Sequence, residues 1–260
     1  MLMENRVKTM PVLIRIMRLL GWILSLLWLS GCTPVPVERQ NQSVVTIKGS
    51  DTMVILAQRW AEQYMQQFPE TQIQVSGGGS GTGIAALING TTDIADASRE
   101  MTREEKKKAE QRSGRQVKEV PVAKDGIAFY VHPDNPVERL SITQLADIYT
   151  GRVTIWREGE GSDEPIILYS RENNSGTYAF VKEHVLRGEN YASRAQTLSG
   201  TGAVVDAVRN DPNGIGYGGI AYVTGIKVLS IRVEGQRVVS EVGTASRPSL
   251  DRRVVARARC

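Results

Sequence analysis

Three times in this chain a strand-like segment gives way to glycines and hydroxyls and then to a helix. The stretches are KGSDT (Lys48 to Thr52), GGGSGTG (Gly77 to Gly83) and NNSGT (Asn173 to Thr177). A strand, a Gly/Ser turn and a helix in repeated succession call for crossover connections, which favour a layered α/β fold with mostly parallel strands. The turns also say what such a sheet can hold. The first N–H groups of a helix are unpaired and lie at the positive end of its macrodipole. Glycines let backbone donors approach an anion closely, and hydroxyls add donors without adding charge. In parallel sheets these junctions gather at the carboxyl ends of the strands, where α/β folds bind ligands.

The pattern between the junctions agrees. VVTIKGS reads as a strand, and TMVILAQRWAEQYMQQFP places Ile55, Leu56, Trp60, Tyr64 and Phe68 at helical spacing before Pro69 stops the helix. TQIQVS alternates like a strand, IAALING is helical, and TDIADASR closes a second unit. TREEKKKAEQRSG has no apolar stripe and reads as a solvated helix. VKEVPVAKDGIAFYVHP is the strongest β-run and is expected to pass from one lobe to another. SITQLADIYTGRVTIW gives a short helix and turn, EPIILYSR a strand, NNSGTYAFVKEHVL a helix, and NGIGYGGIAYV and IKVLSIRV late strands. Arg99 and Arg171 stand at strand ends beside hydroxyl-rich helix starts, where guanidinium forks suit a tetrahedral oxyanion.

Other chemistries lack their residues. No lysine follows a glycine run, as a P-loop requires, and GxSxG fails at Ser80 because Thr82 replaces the last glycine. GxGxxG spacing occurs at Gly214, Gly216 and Gly219, but inside an expected strand rather than opening a helix. The two histidines, His132 and His184, offer little for a triad or a metal cluster, so no catalytic residue, metal or cofactor is expected. The formal charge of +4 sits at the ends. Residues 1–18 hold four basic residues against Glu4, and residues 247–260 hold five arginines against Asp251. The body between them is mildly acidic, which argues against nucleic acid as a partner.

The N-terminus reads as an export signal over residues 1–31, with Arg6, Lys8, Arg15 and Arg18 ahead of the apolar run LLGWILSLLWL; Met10 is an alternative start. That run is about half the length of a membrane span. Leu29-Ser30-Gly31-Cys32 looks like a bacterial lipobox, with Cys32 as the lipidated residue that anchors the chain to a membrane. Thr33 to Ser43, Pro-rich and polar, would be its tether.

The motifs GSDT, GGGSGTGIAALINGTTDIADASR, ITQLADIYTGRVTIW, SRENNSGT and NGIGYGGIAYV, in this order, resemble the substrate-binding proteins of phosphate-specific ABC transporters. The resemblance covers roughly Val44 to Ile231. It implies the two-lobed periplasmic-binding-protein fold, type II-like, with each lobe a mostly parallel sheet flanked by helices and the ligand in the cleft between them. Residues 44–124 with 225–246 would form the first lobe, 125–224 the second, and 247–260 an atypical basic tail where relatives close with an apolar strand. Carried over, the phosphate ligands are Ser50, Asp51, Thr52, Ser80, Gly81, Thr82 and Arg99 from the first lobe. Arg171, Ser175, Gly176 and Thr177 would clamp from the second. Some relatives pair the ligand arginine with an acid at the position held here by Asn173, with Glu172 beside it. Asp51 is the candidate acceptor for a phosphate proton, while Asp93, Asp96 and Glu172 are expected to be structural. The implied role is a monomeric, extracytoplasmic carrier that delivers phosphate to ABC permease subunits. A sensor, a binder of sulfate, arsenate or molybdate, and an extracytoplasmic phosphoesterase are the alternatives.

Overall fold

The computed structural model describes residues 43–159 and 161–232 together with the backbone of the strand 250–259. Cys32, the export signal and most of the tether lie outside the described residues. The chain begins as expected: β1 (Ser43–Gly49), α1 (Val54–Gln67), β2 (Thr71–Ser76), α2 (Ser80–Asn89) and β3 (Ile94–Ala97). β1 lies between β2 and β3 and pairs with both in parallel. α2 starts at the hydroxyl of the glycine-rich turn and ends on Gly90, whose φ of 77° closes the helix in the left-handed region. Ile84 and Leu87 of α2 pack with Ala95, Ala97, Met101 and Ala109 to form the core of this half. α3 (Arg103–Ser113) is the solvated helix, held at its start by a capping box between Thr102 and Glu105.

α1 departs from expectation. Its large side chains do not face the sheet: Ile55, Trp60, Tyr64 and Phe68 are all at least 40% exposed. The buried positions are Met53, just ahead of the helix, with Ala57 and Ala61. Two alanines four apart share one face and let the helix approach the strands closely, which leaves the bulky residues on the adjoining surface.

The second half hangs on β4 (Val117–Val131), which pairs antiparallel with β8 (Gly214–Gly219). β8 continues in parallel to β6 (Ile167–Arg171), and β6 in turn to β7 (Gln196–Leu198). α4 (Ile142–Thr150), α5 (Gly176–His184) and α6 (Thr201–Arg209) are the helices of this half. Phe129, Leu145, Tyr149, Trp156, Leu168, Val181 and Tyr217 form the larger core. The GxGxxG spacing falls inside β8, as expected. A Cβ on Gly216 would stand 2.7 Å from Val204 Cγ1 and 2.8 Å from Tyr130 Cε2, so packing of α6 on the strand requires that glycine.

Two boundary expectations change. Residues 227–232, expected with 225–246 in the first lobe, pair in the second half: β9 (Lys227–Val228) pairs with Tyr130 and Val131, and β10 (Ser230–Arg232) pairs with β5 (Arg139–Ser141). Leu229 and Ile231 join the larger core, so burial of this apolar pair keeps the segment in the second half. The basic tail 247–260, expected as an atypical terminus in place of an apolar strand, carries a strand of its own: the backbone from Leu250 to Arg259 forms β11, seated between β3 and β4 with antiparallel pairing to both. The principal sheet therefore runs β2-β1-β3-β11-β4-β8-β6-β7.

Asp96 on β3 is only 3% exposed, and its main-chain carbonyl accepts the Ser50 N–H. Burial pushes its carboxyl from 3.8 up to about 6. Between those values the folded chain holds a proton that the unfolded chain has released, so this group lowers stability as pH rises from about 4 to 6. Asp96→Asn should remove that component and stabilise the protein at pH 7 by about 3 kcal/mol. Urea unfolding of both proteins from pH 4 to 8 checks it; parallel stability curves would show that Asp96 is not the source.

Candidate functional site

The carboxyl ends of β1, β2, β3 and β6 converge. From β1 come Ser50, Asp51 and Thr52. Ser50 and Thr52 share a hydrogen bond between hydroxyls at 2.8 Å, and Thr52 shares another with Ser98 at 2.7 Å. Ser50 and Ser98 close the triangle. The Ser98 N–H donates to Ser80 Oγ at 3.0 Å, which ties the start of α2 to the end of β3. Ser50, Ser80 and Ser98 are buried. Four hydroxyls thus stand together with no formal charge among them, each able to donate or accept on rotation.

Against them comes the start of α5. A Cβ on Gly176 would lie 2.5 Å from Ser80 Oγ and 3.0 Å from Ser98 Cβ, so this helix reaches the hydroxyls only because its first residue is glycine. Ser175 caps the helix, its hydroxyl accepting from the N–H groups of Thr177 and Tyr178. Thr177 is buried beside it.

Arg171 ends β6 with its side chain 3% exposed. Nη1 donates to Thr201 Oγ1 at 2.8 Å, and Nη2 to Asp51 Oδ2 at 2.5 Å. Nε is buried and has no partner among the described residues. Asp51 is held in turn: its Oδ1 accepts the Gly78 N–H at 2.9 Å, and its main-chain carbonyl accepts the Tyr222 hydroxyl at 2.6 Å. The acid that pairs with the arginine is therefore Asp51, from a segment 120 residues away in sequence. Behind Arg171, the Tyr217 hydroxyl accepts the Arg171 N–H and bonds Ser170 and Tyr191, each at 2.9 Å. Burial keeps that phenol protonated, since it raises the Tyr217 pKa above its ordinary value.

Three expected anion ligands are engaged elsewhere. The guanidinium of Arg99 is bidentate to Glu105 at 2.9 and 2.8 Å and also donates to the Glu100 carbonyl. Burial alone would raise the Glu105 carboxyl, but hydrogen bonds from Arg99 and Thr102 with the Arg99 charge outweigh it and hold the group below its ordinary value. At the end of β3 it is Ser98, one residue earlier, that joins the hydroxyls, while Arg99 braces the next helix. Gly81 and Thr82 meet Asn174 of the opposite turn: the Gly81 N–H donates to its carbonyl, and Thr82 Oγ1 accepts from its amide. Asp93 is structural, accepting from the N–H and hydroxyl of Thr46.

Sequence reasoning missed Ser98, Thr201 and Asn174 as partners here. Thr201 carried a readable signal. Ser199 to Gly202 spell SGTG, the letters found at Ser80 to Gly83, and α6 starts at Thr201. A cavity of about 470 Å³ opens beside the site, lined by Arg171, Glu172, Asn173, Asn174, Tyr178 and Thr197. Among the described residues there is no cluster of three or more His, Cys, Asp or Glu suited to a metal ion.

Comparison with known proteins adds the lineage. A phosphate-binding protein PstS of Pseudomonas aeruginosa is 34% identical over 207 residues, 74% of this chain and 64% of that protein. One from Bacillus subtilis is 32% identical over 198 residues, covering 76% and 64%. The chain thus spans 64% of the length of these curated relatives. Among solved structures, one described as a phosphate ABC transporter substrate-binding protein with bound phosphate, from Clostridium perfringens, has a TM-score of 0.71 at 32% identity. It is matched over 83% of this chain and 86% of its own. An ABC-type phosphate transport receptor from Vibrio cholerae gives 0.60 at 28%, over 83% and 87%. The model of the PBP superfamily domain matches residues 36–247, and with the fold that carries these strand-end hydroxyls, this chain belongs to the PBP superfamily.

Proposed function

We propose that this protein captures inorganic phosphate outside the cytoplasm and delivers it to an ABC permease. The observation that carries this reading is the buried Arg171 Nε, a donor without a partner among the described residues on a guanidinium already braced by Asp51 and Thr201. A buried donor left unpaired costs about 1–3 kcal/mol, and an oxyanion oxygen would satisfy it. Ser50, Thr52, Ser80 and Ser98 supply rotatable donors on the first side, and the start of α5 with Ser175, Gly176 and Thr177 supplies the second. The relatives are phosphate-binding and phosphate-transport proteins, which supports the same ligand.

In this reading the ion reaches Arg171 first, through the adjoining cavity. The hydroxyls then turn from one another toward its oxygens, so the ion exchanges water for fixed dipoles. Asp51 supplies selectivity. Phosphate near neutral pH carries a proton and can donate to the Asp51 carboxylate, whereas sulfate has no proton to give and would face that carboxylate with unpaired charge. Residues 44–124 and 125–224 act as the two lobes. Cys32 anchors the protein to the membrane through its lipid, residues 33–43 serve as the tether, and the carrier works as a monomer.

Two outcomes follow for isothermal titration of the ligand-stripped protein. Arg171→Lys keeps the charge but loses the fork, and phosphate affinity should fall about hundred-fold, whereas Arg99→Ala should change it less than about two-fold. A comparable loss in both would return Arg99 to the site, and no phosphate heat from the folded parent would remove the phosphate reading. Asp51→Asn should bring sulfate to within about ten-fold of phosphate; a preference as strong as the parent's would show that the proton is read elsewhere.

A further inference from the structure

The geometry points to Asn174 as a latch that closes the anion site, acting on the turn before α2 rather than on the ion. Asn174 belongs to the β6–α5 turn that also presents Arg171. Its partners, Gly78, Gly81 and Thr82, belong to the β2–α2 turn and the first residues of α2, more than ninety positions away. Three hydrogen bonds join the turns. The Asn174 main-chain carbonyl accepts the Gly81 N–H at 2.8 Å, and the side-chain Nδ2 donates to the Gly78 carbonyl and to Thr82 Oγ1, each at 3.1 Å.

The chemistry of the residue fits this use. A carboxamide nitrogen carries two hydrogens, and here both have an acceptor on the same loop. An aspartate would put a negative charge against the Gly78 carbonyl. A Cβ on Gly79 or Gly81 would stand 3.0 or 3.2 Å from the Asn174 carbonyl oxygen, so bare backbone lets the side chain seat. Asn174 is half-buried at the rim, lining the outer cavity on the same turn as buried Ser175. Its bonds lie where water can compete, so they can break and re-form. In sequence Ser80 lies between two partners of Asn174, Gly78 and Gly81, and it packs against Gly176 of the opposite half, so an ion held by Ser80, Ser98 and Arg171 leaves only when these bonds open. Asn174 is a positioning residue: it sets the residence time of the ligand without touching it.

The identity of the ligand rests on the phosphate reading above; the latch geometry does not, and the experiment separates them. Phosphate association and dissociation rates are measured by stopped flow on the full chain for the parent, Asn174→Gly, Asn174→Asp, Thr82→Val and the Asn174→Gly/Thr82→Val double variant. Gly81 amide exchange is followed in the same proteins without ligand. Asn174→Gly should raise the dissociation rate about ten-fold with association changed less than about two-fold, and Asn174→Asp at least as much. Thr82→Val should raise it about three-fold, and the double variant should be no faster than Asn174→Gly, as expected for two ends of one bond. Gly81 exchange should speed up in every Asn174 variant. An unchanged dissociation rate, an effect confined to association, or additive single variants would overturn the latch and leave the phosphate reading standing. If the parent binds no phosphate, that reading fails and Gly81 exchange decides the latch: faster supports it, unchanged overturns it. Should Asn174→Gly not fold, Thr82→Val carries the same test.

Discussion

A guanidinium cannot be buried alone, and the architecture around Arg171 follows from that constraint. With 3% of the side chain exposed, its charge must find a counter-charge and its N–H groups must find acceptors within the protein. Asp51 supplies the charge at 2.5 Å, and Thr201 supplies a neutral acceptor at 2.8 Å. These residues come from the end of β1, the end of β6 and the start of α6. The sheet order that brings the two halves together is therefore also what makes the cation tolerable. Asp51 is fixed from behind by Gly78 and Tyr222, so the pair is set before any ligand arrives. Breaking such a pair leaves an uncompensated charge, which makes the site and the fold hard to separate.

The second constraint is close approach. Ser80, Ser98 and Gly176 meet within contact distance because a strand end, a helix start from one half and a helix start from the other all arrive at one point. Any side chain on Gly176 would push α5 away from the hydroxyls. The glycines of these turns therefore serve geometry as much as flexibility, and the hydroxyls beside them fill the donors and acceptors that the close approach would otherwise leave unpaired.

How much of this the letters disclose depends on the range over which each feature is decided. The strand–turn–helix junctions are local, so KGSDT, GGGSGTG and NNSGT could be read directly, and Arg171 with them. Ser98 against Arg99 is a question of which of two neighbours faces inward at the end of a four-residue strand, and an offset of one reverses the answer. Thr201 repeated the letters of Ser80 to Gly83, but its strand, Gln196–Leu198, is too short to show a pattern. The partnership of Asp51 with Arg171 spans 120 residues and has no local trace. α1 carried two periodic faces, one of large apolar residues and one of alanines, and only the sheet beneath it decides which turns inward. The place of residues 227–232 was likewise settled by the core that Leu229 and Ile231 enter, which composition does not reveal.

One consequence joins the cation to the hydroxyls. Because Asp51 already neutralises Arg171, an anion seated here meets no surplus of full positive charge. It would be held by helix ends, hydroxyls and the guanidinium N–H groups that Asp51 and Thr201 do not take, all of which are short-ranged and directional. Such donors favour a tetrahedral arrangement of oxygens over charge as such, and a site of this kind selects by shape and by proton. It also gains little at long range, so tight retention depends on keeping water out once the ion has arrived. That requirement falls on the two turns that face each other across the site, and Asn174 is the residue through which they are joined.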